Sequence, residues 1–288
     1  MSIYLIRLLR FLPIYILLMI INTACVSFRE SDRKVLREFK KTTIKPEIYR
    51  ENYQGKMMRY ISTKPINNSL PTLLFIHGAP GSAGNYFRYL KDKDLSQKAN
   101  LITLDRLGYG YSDFGNVETS LEKQAESIYA IAEKHKLNNL VLVGWSYGVP
   151  IAAKMAYKYS AVKHSVLVAG AISPEDEKFF GIAKMAQWKL TKWMVPKSLR
   201  IADKEKMTHV EELTNMLSDW NKIKTPITYY HGTKDKLVPY KNMAFITSKV
   251  NDSLLKAVTL NEANHFILFK NYDIVKKELL EVLNSFDD

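Results

Sequence analysis

The 288-residue chain has one cysteine, Cys25. It can close no internal disulfide and build no metal site on cysteine ligands. Its 12 glycines include no Gly-x-x-x-x-Gly-Lys-Ser/Thr run, which excludes a Walker phosphate loop. No internal repeat or low-complexity tract is present. No metal, nucleotide or flavin signature appears, so no cofactor is expected. The formal net charge is +13. The lysines are scattered and belong to no RNA- or DNA-binding module. The excess charge therefore reads as a surface lying against anionic lipid, and no nucleic acid partner is expected. With 47% hydrophobic residues the chain can bury one large core.

The most informative stretch is Leu140 to Pro150. Leu140-Val141-Leu142-Val143 is an all-apolar run, as expected for a strand buried on both faces. Gly144-Trp145-Ser146-Tyr147-Gly148 follows, then the small residues Ala152, Ala153 and Ala156 of a closely packed helix. A strand, a sharp turn and a helix around Gly-x-Ser-x-Gly would lift the Ser146 hydroxyl above the sheet edge in a strained backbone geometry. The helix would aim free N–H groups at the same point.

Residues 1–24 read as a signal peptide or membrane anchor. Arg7 and Arg10 supply the positive end and Phe11 to Ile21 the apolar run. Asn22-Thr23-Ala24-Cys25 resembles a bacterial lipoprotein signal, which implies lipidation of Cys25, export, and attachment to a membrane through the N-terminus. Asn22 departs from that pattern. Residues 25–50 carry charges of both signs and suit a tether or a short solvated helix. The fold proper is expected from residue 51, with strands at Met57 to Ser62, Leu73 to Ile76 and Leu101 to Leu104. Thr119-x-x-Glu122 predicts a capping box ahead of a helix ending near His135, a solvated helix-end residue. His164 to Gly170, Pro226 to His231 and Leu254 to Leu260 complete the strands. Val275, Leu279, Val282 and Phe286 stripe a last helix.

Leu73 to Ile76 runs into His77-Gly78-Ala79-Pro80-Gly81. With the Gly-x-Ser-x-Gly turn, this resembles the α/β-hydrolase superfamily, in its branch with His-Gly-x-Pro-Gly. The resemblance spans residues 51 to 288, weakly over 173–224. It implies an α/β fold, a mostly parallel sheet flanked by helices, with core segments 51–172 and 225–288 and a helical cap inserted at 173–224. It places backbone oxyanion donors at Ala79 and Tyr147 and gives His77 a structural role. Asp105-Arg106-Leu107-Gly108-Tyr109-Gly110-Tyr111-Ser112 matches a turn of the family that shapes the site floor. Asp105 there is expected to pair with Arg106 or cap the loop. Gly232-x-x-Asp235-x-x-Val238-Pro239 matches the motif holding the triad acid, with Glu175 or Asp176 as the rival. His265 is the histidine in the loop between the last strand and the last helix.

The resemblance therefore implies a Ser146, His265, Asp235 triad and an acyl-enzyme reaction on a small-molecule ester, or on an amide, thioester or peptide-like substrate. The general chemistry agrees: a serine hydroxyl attacks at neutral pH only with a base in reach and a carboxylate to orient that base. Trp145, Phe179, Trp188 and Trp193 are candidates for the substrate pocket. Two other readings stand beside the carboxylester hydrolase. A prolyl-type aminopeptidase would need acidic cap residues such as Glu211 and Glu212 to hold a free amine. A lipid-anchored binding protein would have no use for three separated catalytic residues. Neither the substrate nor the oligomeric state follows from the sequence.

Overall fold

The computed structural model describes residues 28–178, 193 and 195–286. Cys25, the expected signal or anchor segment at residues 1–24, Phe179 and Trp188 lie outside the described residues. Eight strands form one sheet: β1 (Glu47–Tyr53), β2 (Lys56–Ser62), β3 (Thr72–Ile76), β4 (Asn100–Leu104), β5 (Leu140–Trp145), β6 (Val162–Val168), β7 (Ile227–Gly232) and β8 (Leu255–Leu260). Their order is β1-β2-β4-β3-β5-β6-β7-β8. β1 and β2 pair antiparallel, as do β2 and β4, and every other pairing is parallel.

Side chains alternate across the pleat, so each strand feeds two cores. Leu74, Ile76, Leu140 and Leu142 enter one, with Ala125 and Ile128 of a helix at Leu121–Lys134 and Ile151 and Met155 of a helix at Gly148–Lys158. Leu73, Phe75, Val141 and Val143 enter the other, with Val275 and Leu279 of the helix at Tyr272–Asn284. Apart from two single-turn helices at Phe87–Leu90 and Ile267–Lys270, the described α-helices are labelled in chain order α1 (Asp32–Phe39), α2 (Lys93–Lys98), α3 (Leu121–Lys134), α4 (Gly148–Lys158), α5 (Lys197–Asn215), α6 (Asn242–Lys249) and α7 (Tyr272–Asn284). α5, with 19 residues, stands between β6 and β7, inside the stretch expected to form a cap.

The structure departs from the sequence reading in several places. Regular secondary structure is present ahead of residue 51. α1 is capped by Ser31, whose side chain accepts from the Lys34 N–H, and it buries Val35 and Phe39. β1 then precedes the first expected strand. Its sequence, EIYRENY, is polar because it is an edge strand with no residue fully buried. The cap of α3 is Ser120, which accepts from the Lys123 N–H, rather than Thr119. His135 is half-buried, with Nε2 2.7 Å from the Tyr60 hydroxyl, so it is not a freely solvated residue. Burial moves its pKa below the ordinary histidine value.

Candidate active site

β3 leads toward β4 on one side, while β5 leads through α4 to β6 on the other. The carboxyl ends of β3 and β5 therefore flank the point where the strand order reverses, the crevice where open α/β sheets place ligands. Ile76 and Gly144 are paired in register at that edge. Ser146 follows β5 with φ at +54°, a left-handed conformation that non-glycine residues rarely hold. It is tied down on both sides: its N–H donates to the Val168 carbonyl at 3.0 Å, and its carbonyl accepts from the Val149 N–H at 3.0 Å. A Cβ on Gly148 would lie 2.3 Å from the Ile76 carbonyl oxygen, so only glycine lets α4 start this close to β3.

The carboxyl ends of β7 and β8 bring Asp235 and His265 to the same edge. His265 Nδ1 donates to Asp235 Oδ2 at 2.7 Å. The other carboxylate oxygen, Oδ1, accepts from the N–H groups of Leu237 and Val238, both at 2.9 Å. His231 Nε2 lies 3.5 Å from Oδ2. Burial alone would raise the Asp235 pKa. The bonds from His231, His265 and the Val238 backbone outweigh it and hold the carboxyl well below the usual carboxylate range. Trp145 donates its indole N–H to the His265 carbonyl at 3.0 Å, fixing the loop that carries the ring. The rival acid Asp176 instead accepts from the Ser173 hydroxyl.

The loop after β3 lies against Ser146, where a Cβ on Gly78 would be 3.0 Å from the Ser146 Cβ. His77 is fully buried. Its Nδ1 donates to the Gly78 carbonyl at 2.7 Å and its Nε2 accepts from the Arg106 N–H at 3.0 Å. Burial and the neighbouring Arg106 cation hold its pKa well below the ordinary value, so the ring stays neutral. Asp105 pairs with Arg59 at 3.0 Å rather than with Arg106, and caps the loop by accepting from the N–H groups of Ala83 and Tyr111. Arg106 turns the other way and pairs with Glu205 of α5 at 2.6 Å.

Ser146, His265, Ala79 and Tyr147 line one cavity of about 250 Å³. Its far wall is apolar where Val195, Leu199, Ala202, Leu237 and Val238 meet it, and polar at Glu177, Asp203, Lys206 and His209. Glu177 accepts from His209 Nδ1 at 2.7 Å and pairs with Lys206. Burial would raise the Glu177 pKa, but these two partners bring it below the ordinary value.

Of the pocket candidates among the described residues, Trp145 supports the His265 loop, Trp193 is 60% exposed, and neither is among the residues lining this cavity. Glu211 and Glu212 are also absent from its walls, because Glu212 caps α3 by accepting from the Leu121 N–H at 2.7 Å. No sequence signal marked His231, Glu177, Glu205 or His209, whose roles depend on contacts between distant elements. Among the described residues, no three His, Cys, Asp or Glu side chains are grouped to hold a metal ion.

A family model described as "alpha/beta hydrolase fold" matches residues 71–197. A 1-acylglycerol-3-phosphate O-acyltransferase of Arabidopsis thaliana is 35% identical over 143 residues, 46% of this chain and 34% of that protein. The match thus spans about a third of the relative's length. Among solved structures, a putative aryl esterase from Burkholderia cenocepacia superposes with a TM-score of 0.68 at 18% identity, covering 83% of this chain and 98% of the other. A putative lipase from Acinetobacter baumannii gives 0.68 at 17%, covering 91% and 97%. With the strand order and the turn at Ser146, these likenesses establish that the chain has the α/β-hydrolase fold.

Proposed function

We propose that this protein is a serine hydrolase that cleaves a small carboxylic ester through an acyl-enzyme. The observation that carries the reading is the 2.7 Å bond from His265 Nδ1 to the Asp235 carboxylate, with His265 and Ser146 on the wall of one cavity. With Nδ1 donating to Asp235, Nε2 carries the lone pair and is the atom able to take a proton. In this reading Ser146 Oγ bonds to the substrate carbonyl carbon as His265 removes its proton. The N–H groups of Ala79 and Tyr147 stabilise the oxyanion. The tetrahedral intermediate collapses, breaking the bond to the alcohol oxygen, which takes the proton from His265. Water, activated by the same imidazole, then releases the acid and restores the serine.

The cavity supports a small substrate, since about 250 Å³ lies below the roughly 300–1,000 Å³ common for drug-sized ligands. Its apolar wall at Val195, Leu199 and Leu237 suits a short acyl chain. The relatives described as esterase and lipase support the same reading. An aminopeptidase site finds less support, because Glu177 is already matched by Lys206 and His209 and so is not left to hold an ammonium. The test is a fluorophosphonate probe together with a series of p-nitrophenyl esters and proline anilides. Wild type should label and hydrolyse short esters, and Ser146→Ala should do neither. Equal labelling of the two proteins would remove Ser146 as the nucleophile, and hydrolysis of the anilides alone would favour the peptidase.

A further inference from the structure

A peptide unit is planar, so fixing the direction of its carbonyl also fixes the direction of its N–H. The Gly78–Ala79 peptide joins the Gly78 carbonyl to the Ala79 N–H. Two buried donors hold that carbonyl: His77 Nδ1 at 2.7 Å and Arg106 Nη2 at 3.1 Å. Arg106 Nε also donates to the His77 carbonyl at 2.9 Å, so one guanidinium grips two successive carbonyls of this loop. Its central carbon, Cζ, lies 4.8 Å from the centre of the Tyr147 ring, the side chain of the other candidate oxyanion donor.

Arg106 is in turn held by α5. Glu205 accepts from Nη1 at 2.6 Å and Nη2 at 3.1 Å, and also from the Tyr109 hydroxyl at 2.6 Å. Arg106, Glu205 and Tyr109 are all 0% exposed. The bidentate fork fixes the guanidinium plane as a single hydrogen bond could not.

We propose that Arg106, oriented by Glu205, is a positioning residue for the oxyanion hole. It aims the Ala79 N–H at the reacting carbonyl and polarises that N–H by donating to the far end of the same peptide. Because Glu205 belongs to α5, the seating of that helix over the core is coupled to the readiness of the hole. This role rests on the serine-hydrolase reading for its catalytic meaning. The arrangement of the peptide can be tested without catalysis.

The experiment compares wild type with Arg106→Lys, Arg106→Met and Glu205→Gln. Each is titrated for active sites with a fluorophosphonate, so that misfolded protein is not counted. Per titrated site, Arg106→Met should lose about 10- to 100-fold in kcat on p-nitrophenyl butyrate, less than removing a donor outright. KM should change by less than about 3-fold, because the oxyanion contact strengthens in the transition state. A trifluoromethyl ketone, which forms a tetrahedral adduct on serine, should bind more weakly by the same factor as kcat falls. Arg106→Lys keeps the charge but loses the fork, and should fall between. If Arg106→Met does not fold, Glu205→Gln is read in the same way, with a loss of about 3- to 10-fold. A residue that merely stabilises the fold would lower the number of titrated sites and leave kcat per site and ketone affinity unchanged, which overturns the proposal.

The catalysis-free arm uses Ser146→Ala protein. Adding Arg106→Met or Glu205→Gln should shift the Ala79 amide proton resonance and speed its exchange by about 10-fold or more. An unchanged resonance and exchange rate overturns the proposal whatever the esters show. A changed amide, when the protein that keeps Ser146 neither labels nor hydrolyses esters, overturns the serine-hydrolase reading while the peptide clamp stands.

Discussion

Asp235→Asn is the sharpest perturbation of the site. The Asp235 Oδ1 atom accepts from two backbone N–H groups at 2.9 Å, and the amide oxygen of asparagine can keep both bonds. The amide nitrogen must then replace Oδ2, the atom 2.7 Å from His265 Nδ1. That nitrogen only donates, so the imidazole must turn its lone pair to Nδ1 and carry its proton on Nε2. In the proposed mechanism the histidine can then no longer take the serine proton. A wrong tautomer of this kind costs about 10⁴-fold in kcat, or about 5.5 kcal/mol of transition-state stabilisation. The fold should survive, since the backbone bonds remain. The assay is kcat per folded protein on p-nitrophenyl butyrate, with the rate of fluorophosphonate labelling measured in parallel. Both should fall together. A kcat within 10-fold of wild type, in protein with an unchanged melting curve, would show that Asp235 does not orient the base.

Glu205→Leu leaves the fully buried Arg106 without its carboxylate, a change that costs about 3–5 kcal/mol. Tm should drop by roughly 6–20 °C for a chain of this size. A drop under 3 °C would mean that the pair contributes nothing beyond what leucine packing replaces. His164 predicts a pH dependence of stability. Burial, with Lys256 adding to it and Glu278 opposing it, lowers the His164 pKa from 6.5 to about 4. As pH falls through this window the unfolded chain takes up a proton that the folded chain does not. Stability is therefore lost between about pH 6.5 and 4, by up to about 3 kcal/mol, with no further loss from this group below it. In urea melts, His164→Gln should have a flatter profile over this range. Parallel profiles for the two proteins would contradict the assignment.

The sequence alone determined much of the frame. The apolar runs at Leu73 to Ile76 and Leu140 to Val143 marked buried strands because both faces of a parallel sheet must be covered. The Gly144 to Gly148 turn was legible because few residue combinations allow a strand to pass so abruptly into a helix. Resemblance of the His77-Gly78 and Asp235 motifs, and the loop position of His265, singled out the remaining candidates. What distinguishes catalytic from structural residues was only partly visible. The sequence leaves Asp105 either to pair with Arg106, its neighbour in the chain, or to cap its loop; it caps the loop, but its ion-pair partner is the distant Arg59. The fold instead points successive side chains in opposite directions, so Asp105 meets Arg59 and Arg106 meets Glu205.

Tertiary structure alone decided the walls of the cavity. Trp145 and Trp193 looked alike as aromatic pocket candidates, yet one supports the His265 loop and the other is exposed. The acidic residues of α5 were equally indistinguishable by composition. Glu212 caps another helix, Glu211 is exposed, and Glu205 reaches the core. Helical spacing gives a residue's angle around its own axis, but not what the neighbouring element presents to it. That depends on how α5 packs across the sheet edge, which is set by contacts between segments about 100 residues apart and leaves no local trace in the chain.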